Sequence, residues 1–194
     1  MISTAEDVEM HPRGLAELAE AFARPAPLEV DLGSGNGAFL VALATLFPER
    51  NFLGVERLSR RIGNACRAAV RNGVGNVRVL RWEINDAVRS FLPAESVAVF
   101  HVLFPDPWPK RRHHVRRLIN DSFLRAAWAA LELEGELRFM TDDRHYFEQT
   151  RKLLPAHPFK EELWAELPGY PRTEFEQRYR VEGRAVYRLR LRKT

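Results

Sequence analysis

The feature that most constrains this chain is the stretch FPDPWPKRRHH, which occupies residues 104–114. Its three prolines, at positions 105, 107 and 109, exclude it from a helix interior and from a sheet ladder, because proline fixes φ, lacks an N–H and restricts the residue before it. The segment directly before it, residues 96–103, is largely apolar and has the length of a buried strand. We therefore expect a stiff loop at a strand end that carries a carboxylate, Asp106, and a large aromatic ring, Trp108.

A dense group of basic residues follows this loop. We call residues 110–117 the basic cluster; it contains Lys110, Arg111, Arg112, His113, His114, Arg116 and Arg117. A carboxylate can accept the N–H donors of a nucleobase, an aromatic ring can stack on it, and arginines pair well with phosphates. The combination favours a nucleic-acid substrate over the alternative interpretation, which is a proline-rich turn followed by a solvated basic helix start.

Length and composition limit the class of protein. The 194 residues carry 30 Lys and Arg against 26 Asp and Glu, and the hydrophobic fraction of 45% is ordinary for a globular protein. We predict one domain over residues 1–194, with residues 1–27 as a helical extension because its apolar residues have helical spacing. The single cysteine, Cys66, excludes an internal disulfide and a multi-cysteine metal site, and we predict no metal. No apolar run reaches membrane-spanning length and no signal peptide is visible, so a cytoplasmic location without membrane contact is expected.

Predicted strands and helices alternate along the chain. The strands are predicted at residues 28–32, 51–56, 76–82, 96–103, 136–140, 159–164 and 185–192. The helices are predicted at residues 38–47, 60–72, 115–131 and 146–154, and residues 168–180 are predicted as a polar loop. Alternation with short connections is typical of an α/β fold with an open, mostly parallel sheet, which an antiparallel C-terminal strand would close.

A glycine loop follows the first predicted strand. Gly33, Gly35 and Gly37 stand at alternate positions, which allows the backbone to turn sharply and to approach a ligand closely. A strand, a glycine loop and a helix open the nucleotide-binding half of a doubly wound sheet, although the spacing differs from the G-x-G-x-x-G of dinucleotide-binding enzymes. Asp31 stands just before the loop. This combination is similar to the first motif of S-adenosylmethionine-dependent methyltransferases, whose ligand carries an amino group and a sulfonium that a carboxylate attracts.

Carboxylates recur at the ends of the predicted strands. Glu56 ends the second strand about 20 residues past the glycine loop, where doubly wound folds place the acid that holds ribose hydroxyls. Asp86 follows the third strand, where it can face an adenine amino group or cap a helix. Asp142 follows the fifth strand. Because the carboxyl ends of parallel strands share one edge of a sheet, these side chains are expected to converge on a ligand there.

Several motifs together closely resemble the tRNA (guanine-N7-)-methyltransferase family. They are FPDPWPKRRHH, VDLGSGNG, FLGVE, RRL at residues 116–118, TDD at residues 141–143 and TEFEQR at residues 173–178. The resemblance covers nearly the whole chain and implies a Rossmann-like class I methyltransferase fold. It also implies methyl transfer from S-adenosylmethionine to N7 of guanine 46 in the tRNA variable loop. tRNA is then the expected partner, and the protein is expected to be a monomer or a homodimer.

The resemblance implies roles for particular positions. Cofactor contacts are implied for Asp31, Gly33, Gly35, Glu56, Asp86 and Asp106. Asp106 is also implied to be catalytic, and Asp31 is one methylene shorter than the glutamate that is usual in the family. Substrate contacts are implied for Lys110, Asp142, Thr173, Glu174, Phe175 and Glu176. The candidate RNA contacts are the remaining members of the basic cluster: Arg111, Arg112, His113, His114, Arg116 and Arg117.

Three other functions fit the sequence less well. Methyltransferases that act on exocyclic amines often carry Asp-Pro-Pro-Tyr after the fourth strand, whereas this loop has Asp-Pro-Trp-Pro. The glycine spacing and the lack of a Tyr-x-x-x-Lys pair disfavour a nicotinamide-dependent oxidoreductase. A non-catalytic RNA-binding module on a methyltransferase fold would have no need of the ligand-binding acids, all of which are present. Cofactor binding by calorimetry would separate such a module from an enzyme.

Overall fold

A computed structural model of the protein describes residues 4, 8–10, 18, 20–165 and 169–194. The strands are β1 Glu9–Met10, β2 Leu28–Leu32, β3 Asn51–Glu56, β4 Val77–Arg81, β5 Val97–Leu103, β6 Leu131–Thr141, β7 Phe159–Glu162 and β8 Tyr187–Lys193. The α-helices are α1 Ala38–Leu46, α2 Ser59–Arg71, α3 Ile84–Asp86, α4 Asp121–Ala130, α5 Arg144–Leu153 and α6 Glu174–Val181. A π-helical turn covers Ala87–Phe91, and 3-10 turns cover Arg111–Arg116 and Leu154–Ala156.

The described strands form one sheet in the order β1-β4-β3-β2-β5-β6-β8-β7. Neighbours from β1 to β6 are parallel, and β8 is antiparallel to both β6 and β7. This order confirms the predicted α/β fold with a mostly parallel sheet and an antiparallel C-terminal strand. The extent of a single domain over residues 1–194 stays a prediction. Of residues 1–27, the structure describes residues 4, 8–10, 18 and 20–27.

The core lies on both faces of the sheet. Every residue of β2 and β3 is buried, including the charged residues Glu29, Asp31 and Glu56, because strands inside a parallel sheet are covered on both faces. Val79 packs with α1 and α2 on one face, whereas the next residue, Leu80, packs with the cluster around α4 on the other. Cys66 is buried in α2.

Most element bounds lie within two residues of the predicted ones, and those of β2 and β3 coincide with them. The two-residue strand β1, which pairs with β4, was not predicted. The helix expected within residues 1–27 falls largely outside the described residues. Leu18 and Phe22, which the structure does describe, are buried. No helix among the described residues is both long enough and apolar enough to cross a membrane.

The helix predicted at residues 115–131 begins too early in the sequence, and the strand predicted at residues 136–140 begins too late. α4 begins only after Asn120, whose side chain accepts a hydrogen bond from the backbone N–H of Phe123 at 3.0 Å and so caps the helix. Leu131 already belongs to β6, which continues through Gly135. The register of β5 against β6 shifts between Val97 and Val99, so the extra residues of β6, including Gly135, form a bulge. Gly135 therefore lies within this bulge.

The polar loop predicted at residues 168–180 is also wrong, because it contains α6. Thr173 caps this helix: its hydroxyl accepts a hydrogen bond from the backbone N–H of Glu176 at 3.1 Å. A threonine followed three residues later by a glutamate is the spacing of a capping box, so this helix start was visible in the sequence. Two acidic residues in the first turn and two arginines in the last complement the helix dipole.

Candidate active site

The glycine loop lies between β2 and α1. Gly33 and Gly37 have φ angles of 89° and 78°, which side chains rarely adopt. A Cβ at Gly37 would lie 2.5 Å from the Cβ of Ala65, so glycine is needed there for α1 to pack on α2. The backbone N–H groups of Gly33 and Ser34 both donate to the carbonyl of Val55, at 2.8 and 3.2 Å. These bonds hold the loop against β3, next to the carboxyl ends of both strands.

Two buried carboxylates stand beside this loop. Asp31 and Glu56 are each 5% exposed, and Asp31 pairs with Gly54 in the adjacent strand, two residues before Glu56. Burial raises the pKa of Asp31 to about 7, and the charge of Glu56 adds to the effect. Two carboxylates held out of water in this way are favourable neighbours for a cation.

Glu56 is oriented by its own turn. Its Oε1 accepts hydrogen bonds from the backbone N–H groups of Arg57 and Leu58, at 2.8 and 3.0 Å. Its Oε2 lies 3.6 Å from a guanidinium nitrogen of Arg61, whose side chain is largely exposed. The turn therefore holds Oε1 in place and leaves Oε2 as the oxygen that a ligand hydroxyl could reach.

The segment after β4 covers the glycine loop. The side chain of Ile84 reaches to 3.7 Å of the position that a Cβ on Gly33 would take. Asp86 is exposed, and its side chain makes no capping hydrogen bond to the π-helical turn that follows, so the alternative role as a helix cap is wrong. The sequence did not indicate the buried side-chain oxygens of Asn85 and Ser34, which have no hydrogen-bond partner among the described residues. Buried oxygens without a partner can accept hydrogen bonds from the N–H or O–H groups of a ligand.

A buried polar network underlies the site. Glu29 Oε1 accepts a hydrogen bond from Arg50 at 2.6 Å, and its Oε2 lies 2.7 Å from Nε2 of His101. Burial acts to raise the pKa of Glu29. The hydrogen bond and charge of His101 and the charge of Arg50 together outweigh this effect, so the pKa of Glu29 lies below its usual range. Burial also lowers the pKa of His101. A neutral His101 that donates to an ionised Glu29 thus ties β5 to β2 beneath Asp31.

The loop after β5 contains two strained residues. Phe104 and Trp108 have φ angles of 53° and 45°, which are uncommon for large side chains and cost about 1–3 kcal/mol each. The backbone N–H of Phe104 donates to the carbonyl of Met140 at 2.7 Å, which places the loop beside the end of β6. Asp106 lies between the two strained residues and is exposed. Such strain is typical of a segment whose conformation is set by function.

The aromatic rings of this loop have protein partners. The Phe104 ring lies 5.4 Å from that of Tyr179 and 6.0 Å from that of Phe175, both on α6. The Trp108 ring lies 4.9 Å from the guanidinium of Arg116 and 5.8 Å, edge to face, from the ring of His113. The basic cluster therefore packs on Trp108 and extends the surface next to Asp106.

Two of the predicted substrate contacts are ion-paired. Asp142, at the end of β6, forms a salt bridge with Arg184. Glu176 is 4% exposed and accepts a hydrogen bond from Arg188 at 2.9 Å. Within the Thr-Glu-Phe-Glu run, Thr173 caps α6 and Glu176 is buried against Arg188. The other two residues are exposed, and the ring of Phe175 lies beside Phe104 of the Asp106 loop.

The basic cluster is not uniform. Lys110, Arg111, Arg112 and Arg116 are exposed, and His113 and His114 are half-buried. The side chain of Arg117, by contrast, is 2% exposed and points into the protein. This geometry does not support the predicted contact of Arg117 with RNA.

The sheet order brings the carboxylates of four strands together. β3, β2, β5 and β6 are neighbours in the sheet and all are parallel, so their carboxyl ends share one edge. The side chains at that edge are Glu56, Asp31, Asp106 and Asp142. Among the described parts of the chain, no group of three or more His, Cys, Asp or Glu is arranged to hold a metal ion. The arrangement can hold a polar, partly cationic ligand on the glycine side and a flat ring with N–H donors on the Asp106 side.

Comparison with known proteins agrees with this arrangement. Residues 25–189 match a family model described as "Putative methyltransferase". The tRNA (guanine-N(7)-)-methyltransferase of Leifsonia xyli subsp. xyli is 38% identical over 185 residues, which cover 92% of this chain and 82% of that protein. The protein of the same name from Halorhodospira halophila is 36% identical, over 94% of this chain and 84% of its own length.

Solved structures share the fold. An antibiotic-related methyltransferase superposes with a TM-score of 0.71 at 18% identity and 98% coverage of both chains. The 16S rRNA methyltransferase KamB superposes with a TM-score of 0.70 at 16% identity and 95% coverage of both chains. At such low identity these structures establish only the methyltransferase fold. The family model and the extent of the sequence similarity go further: this chain belongs to the tRNA (guanine-N(7)-)-methyltransferase family.

Proposed function

We propose that this protein transfers a methyl group from S-adenosylmethionine to N7 of guanine 46 in the variable loop of tRNA. The observation that carries the proposal is the single sheet edge at which buried Asp31 and Glu56 stand on one side and the strained Asp106 loop on the other. The names of the similar proteins support the same activity. A cytoplasmic location and a monomeric or homodimeric state stay predictions.

The residues on the glycine side fit S-adenosylmethionine. When bound, this cofactor supplies a methyl group on a cationic sulfonium, and it also carries an ammonium group. Asp31 and Glu56 would attract these charges, and Oε2 of Glu56, which lies 3.6 Å from Arg61, would accept the ribose hydroxyls. Ser34 and Asn85 have buried oxygens without a partner among the described residues, and each could accept a further N–H or O–H donor. Asp86, exposed at the rim, would contact the adenine end.

Methyl transfer to N7 requires alignment of the guanine with the methyl group rather than a strong base. N7 of neutral guanine already has an in-plane lone pair, so no proton needs to leave it before methylation. The purine becomes cationic, and a carboxylate held nearby favours that charge. Asp106 suits this task because its loop is stiffened by two prolines and lies beside the ends of β2 and β6.

Guanine would be held by its Watson–Crick edge. That edge offers two N–H donors, which carboxylates accept, and splayed bases in RNA are commonly recognised in this way. Asp106 is exposed and suited to be the first acceptor, whereas Asp142 is already paired with Arg184. Half-exposed Phe175, next to Phe104, would supply a ring for stacking. Lys110 and the exposed arginines of the basic cluster would contact phosphates and set the orientation of the tRNA.

A direct assay tests the proposal. The purified protein is incubated with methyl-labelled S-adenosylmethionine and unmodified tRNA, and the labelled nucleoside is identified after digestion. We expect 7-methylguanosine at position 46 and no label in a matched tRNA whose guanine at that position is replaced by adenine. Label in another nucleoside, or equal label in both tRNAs, would contradict the proposal.

Glu56→Ala should weaken cofactor binding by about 1.5–3 kcal/mol, the usual contribution of hydrogen bonds to a charged group. Calorimetry measures this affinity directly. Because Glu56 also accepts two backbone hydrogen bonds, thermal unfolding must show that the variant is folded. Glu49→Ala, at an exposed glutamate before the amino end of β3, serves as the control and should leave the affinity unchanged. Unaltered affinity in a folded Glu56→Ala protein would remove Glu56 from the site.

Neutralising an exposed arginine of the basic cluster should weaken the binding of all tRNAs to a similar extent. For Arg111→Gln or Arg112→Gln, the slope of log affinity against log salt should fall by roughly one unit or less, because one phosphate contact is lost. Cofactor affinity should not change. Arg125→Gln, on the exposed side of α4, is the control for a general charge effect. If the cluster variants behave like Arg125→Gln, the cluster is only a solvated surface.

A further inference from the structure

The side chain of Arg117 joins the Asp106 loop to α5. Its Nε donates a hydrogen bond to the backbone carbonyl of Pro107 at 2.8 Å. Its Nη1 lies 3.0 Å from Nδ1 of His145 and also donates to Oε1 of Gln149, one turn further along α5. His145 accepts this bond through a deprotonated Nδ1, because the guanidinium can only donate. One buried group thus binds the loop next to Asp106 and the helix that follows β6.

The same guanidinium faces the start of α5. Its Nη2 lies 3.9 Å from Oδ1 of Asp143, and its central carbon lies 4.7 Å from the ring centre of Tyr146. Asp143 in turn caps α5 by accepting a hydrogen bond from the backbone N–H of Tyr146 at 2.6 Å. Burial lowers the pKa of Arg117, and the charge of Asp143 opposes that effect. Arginine remains charged even so, which makes its buried hydrogen bonds strong and directional.

The position of these contacts matters for the proposed reaction. Pro107 lies between Asp106 and Trp108, in the strained part of the loop. Asp143 follows Asp142, the carboxylate at the end of β6 that is paired with Arg184. An arginine can bridge these two segments because its planar fork presents donors in two directions at once, which a lysine does not.

We propose that Arg117 is a positioning residue for methyl transfer. It fixes the position of the Asp106 loop relative to the end of β6, so that Asp106 faces the guanine. We call the Arg117 side chain, with its hydrogen bonds to the loop and to α5, the strut. Without these bonds the strained loop would relax, and Asp106 would move away from the base. The inference rests on the proposed function, and it replaces the RNA contact predicted for Arg117 from its place in the basic cluster.

The test compares Arg117→Lys with Arg117→Gln. Turnover at saturating tRNA should fall by at least about 10-fold in both, because small misplacements of catalytic groups are costly and lysine cannot bind both segments. The KM for tRNA and its salt dependence should stay near those of the wild type. Arg125→Lys and Arg125→Gln, on exposed α4, are the matched controls and should leave turnover and KM unchanged. A preserved turnover with a reduced salt slope would show that Arg117 reaches RNA, and this would overturn the proposal.

A purely structural role must also be separated. Turnover is therefore divided by the number of cofactor-binding sites that calorimetry finds in each sample. If the loss disappears after this correction, Arg117 only keeps the protein folded and the proposal fails. Should Arg117→Lys not fold, His145→Ala removes a single acceptor of the strut and should give a smaller loss per site in the same direction. Unchanged turnover per site in His145→Ala would then overturn the inference.

A readout without activity separates this inference from the proposed function. The fluorescence of Trp108 is isolated by subtracting the signal of a Trp108→Phe protein, with and without the Arg117→Lys change. Release of the loop should increase the quenching of Trp108 by acrylamide, and unchanged quenching would argue against the strut. A wild-type protein that methylates no guanine N7 would sink the proposed function, while the quenching would still decide whether Arg117 holds the loop.

Discussion

Asp106→Asn is expected to lower turnover on unmodified tRNA by on the order of 10²-fold or more, the usual effect of removing one preorganised electrostatic group. The change keeps the shape of the side chain but removes its charge and replaces one acceptor oxygen with a donor. The variant should therefore lose both the grip on guanine N–H groups and the stabilisation of the cationic product ring. Turnover is measured with saturating S-adenosylmethionine and tRNA, so that a change in binding does not contribute.

Two further measurements test the role of Asp106. Asp106→Glu should restore little of the turnover that Asp106→Asn loses, because the longer side chain places its oxygens away from the base. Affinity for tRNA should fall less than turnover, since phosphate contacts supply much of the binding energy. Glu49→Gln, an exposed position before β3 at the opposite edge of the sheet, is the control for the loss of one negative charge. Near-normal turnover of Asp106→Asn would refute the role of this residue in the reaction.

Asp31→Asn should weaken cofactor binding and at the same time stabilise the cofactor-free protein at pH 8. The lost charge–charge contact should cost about 1.5–3 kcal/mol of binding. The gain in stability follows from the pKa of about 7 that burial and Glu56 impose on Asp31. At pH 8 the buried carboxylate is charged, and asparagine removes the cost of keeping that charge out of water.

The sign of the pH dependence follows from the same pKa. The unfolded chain holds its proton only up to about 3.9, whereas folded Asp31 holds it up to about 7, so the folded state loses stability as pH rises between these values. The full difference is on the order of 4 kcal/mol. Thermal unfolding should therefore show a large gain for Asp31→Asn at pH 8 and almost none at pH 4. In the wild type, cofactor affinity should decrease as pH falls below about 7. A variant that is less stable at pH 8, or that binds the cofactor as tightly as the wild type, would contradict this account.

The sheet was predictable because its signals are local. β2 and β3 are buried on both faces, and each is a run of five or six residues, at least half of them apolar, that ends at a glycine or at a charged residue. Strand polarity then followed from alternation with helices, and with it the edge at which Asp31, Glu56 and Asp106 meet. The cap of α6 was equally local, and the predicted loop there was wrong only because the Thr-x-x-Glu spacing was not interpreted as a helix start.

The tertiary structure decided what each charged side chain does at that edge. Arg116 and Arg117 are adjacent and chemically identical, yet one is exposed on Trp108 and the other is buried against α5. Asp142 and Glu176 were predicted as substrate contacts, but arginines from the C-terminal segment already pair with both. A sequence motif specifies which groups are present. Their burial, partners and pKa depend on distant segments that pack against them, and for Arg117 that segment is α5, about 30 residues further along the chain.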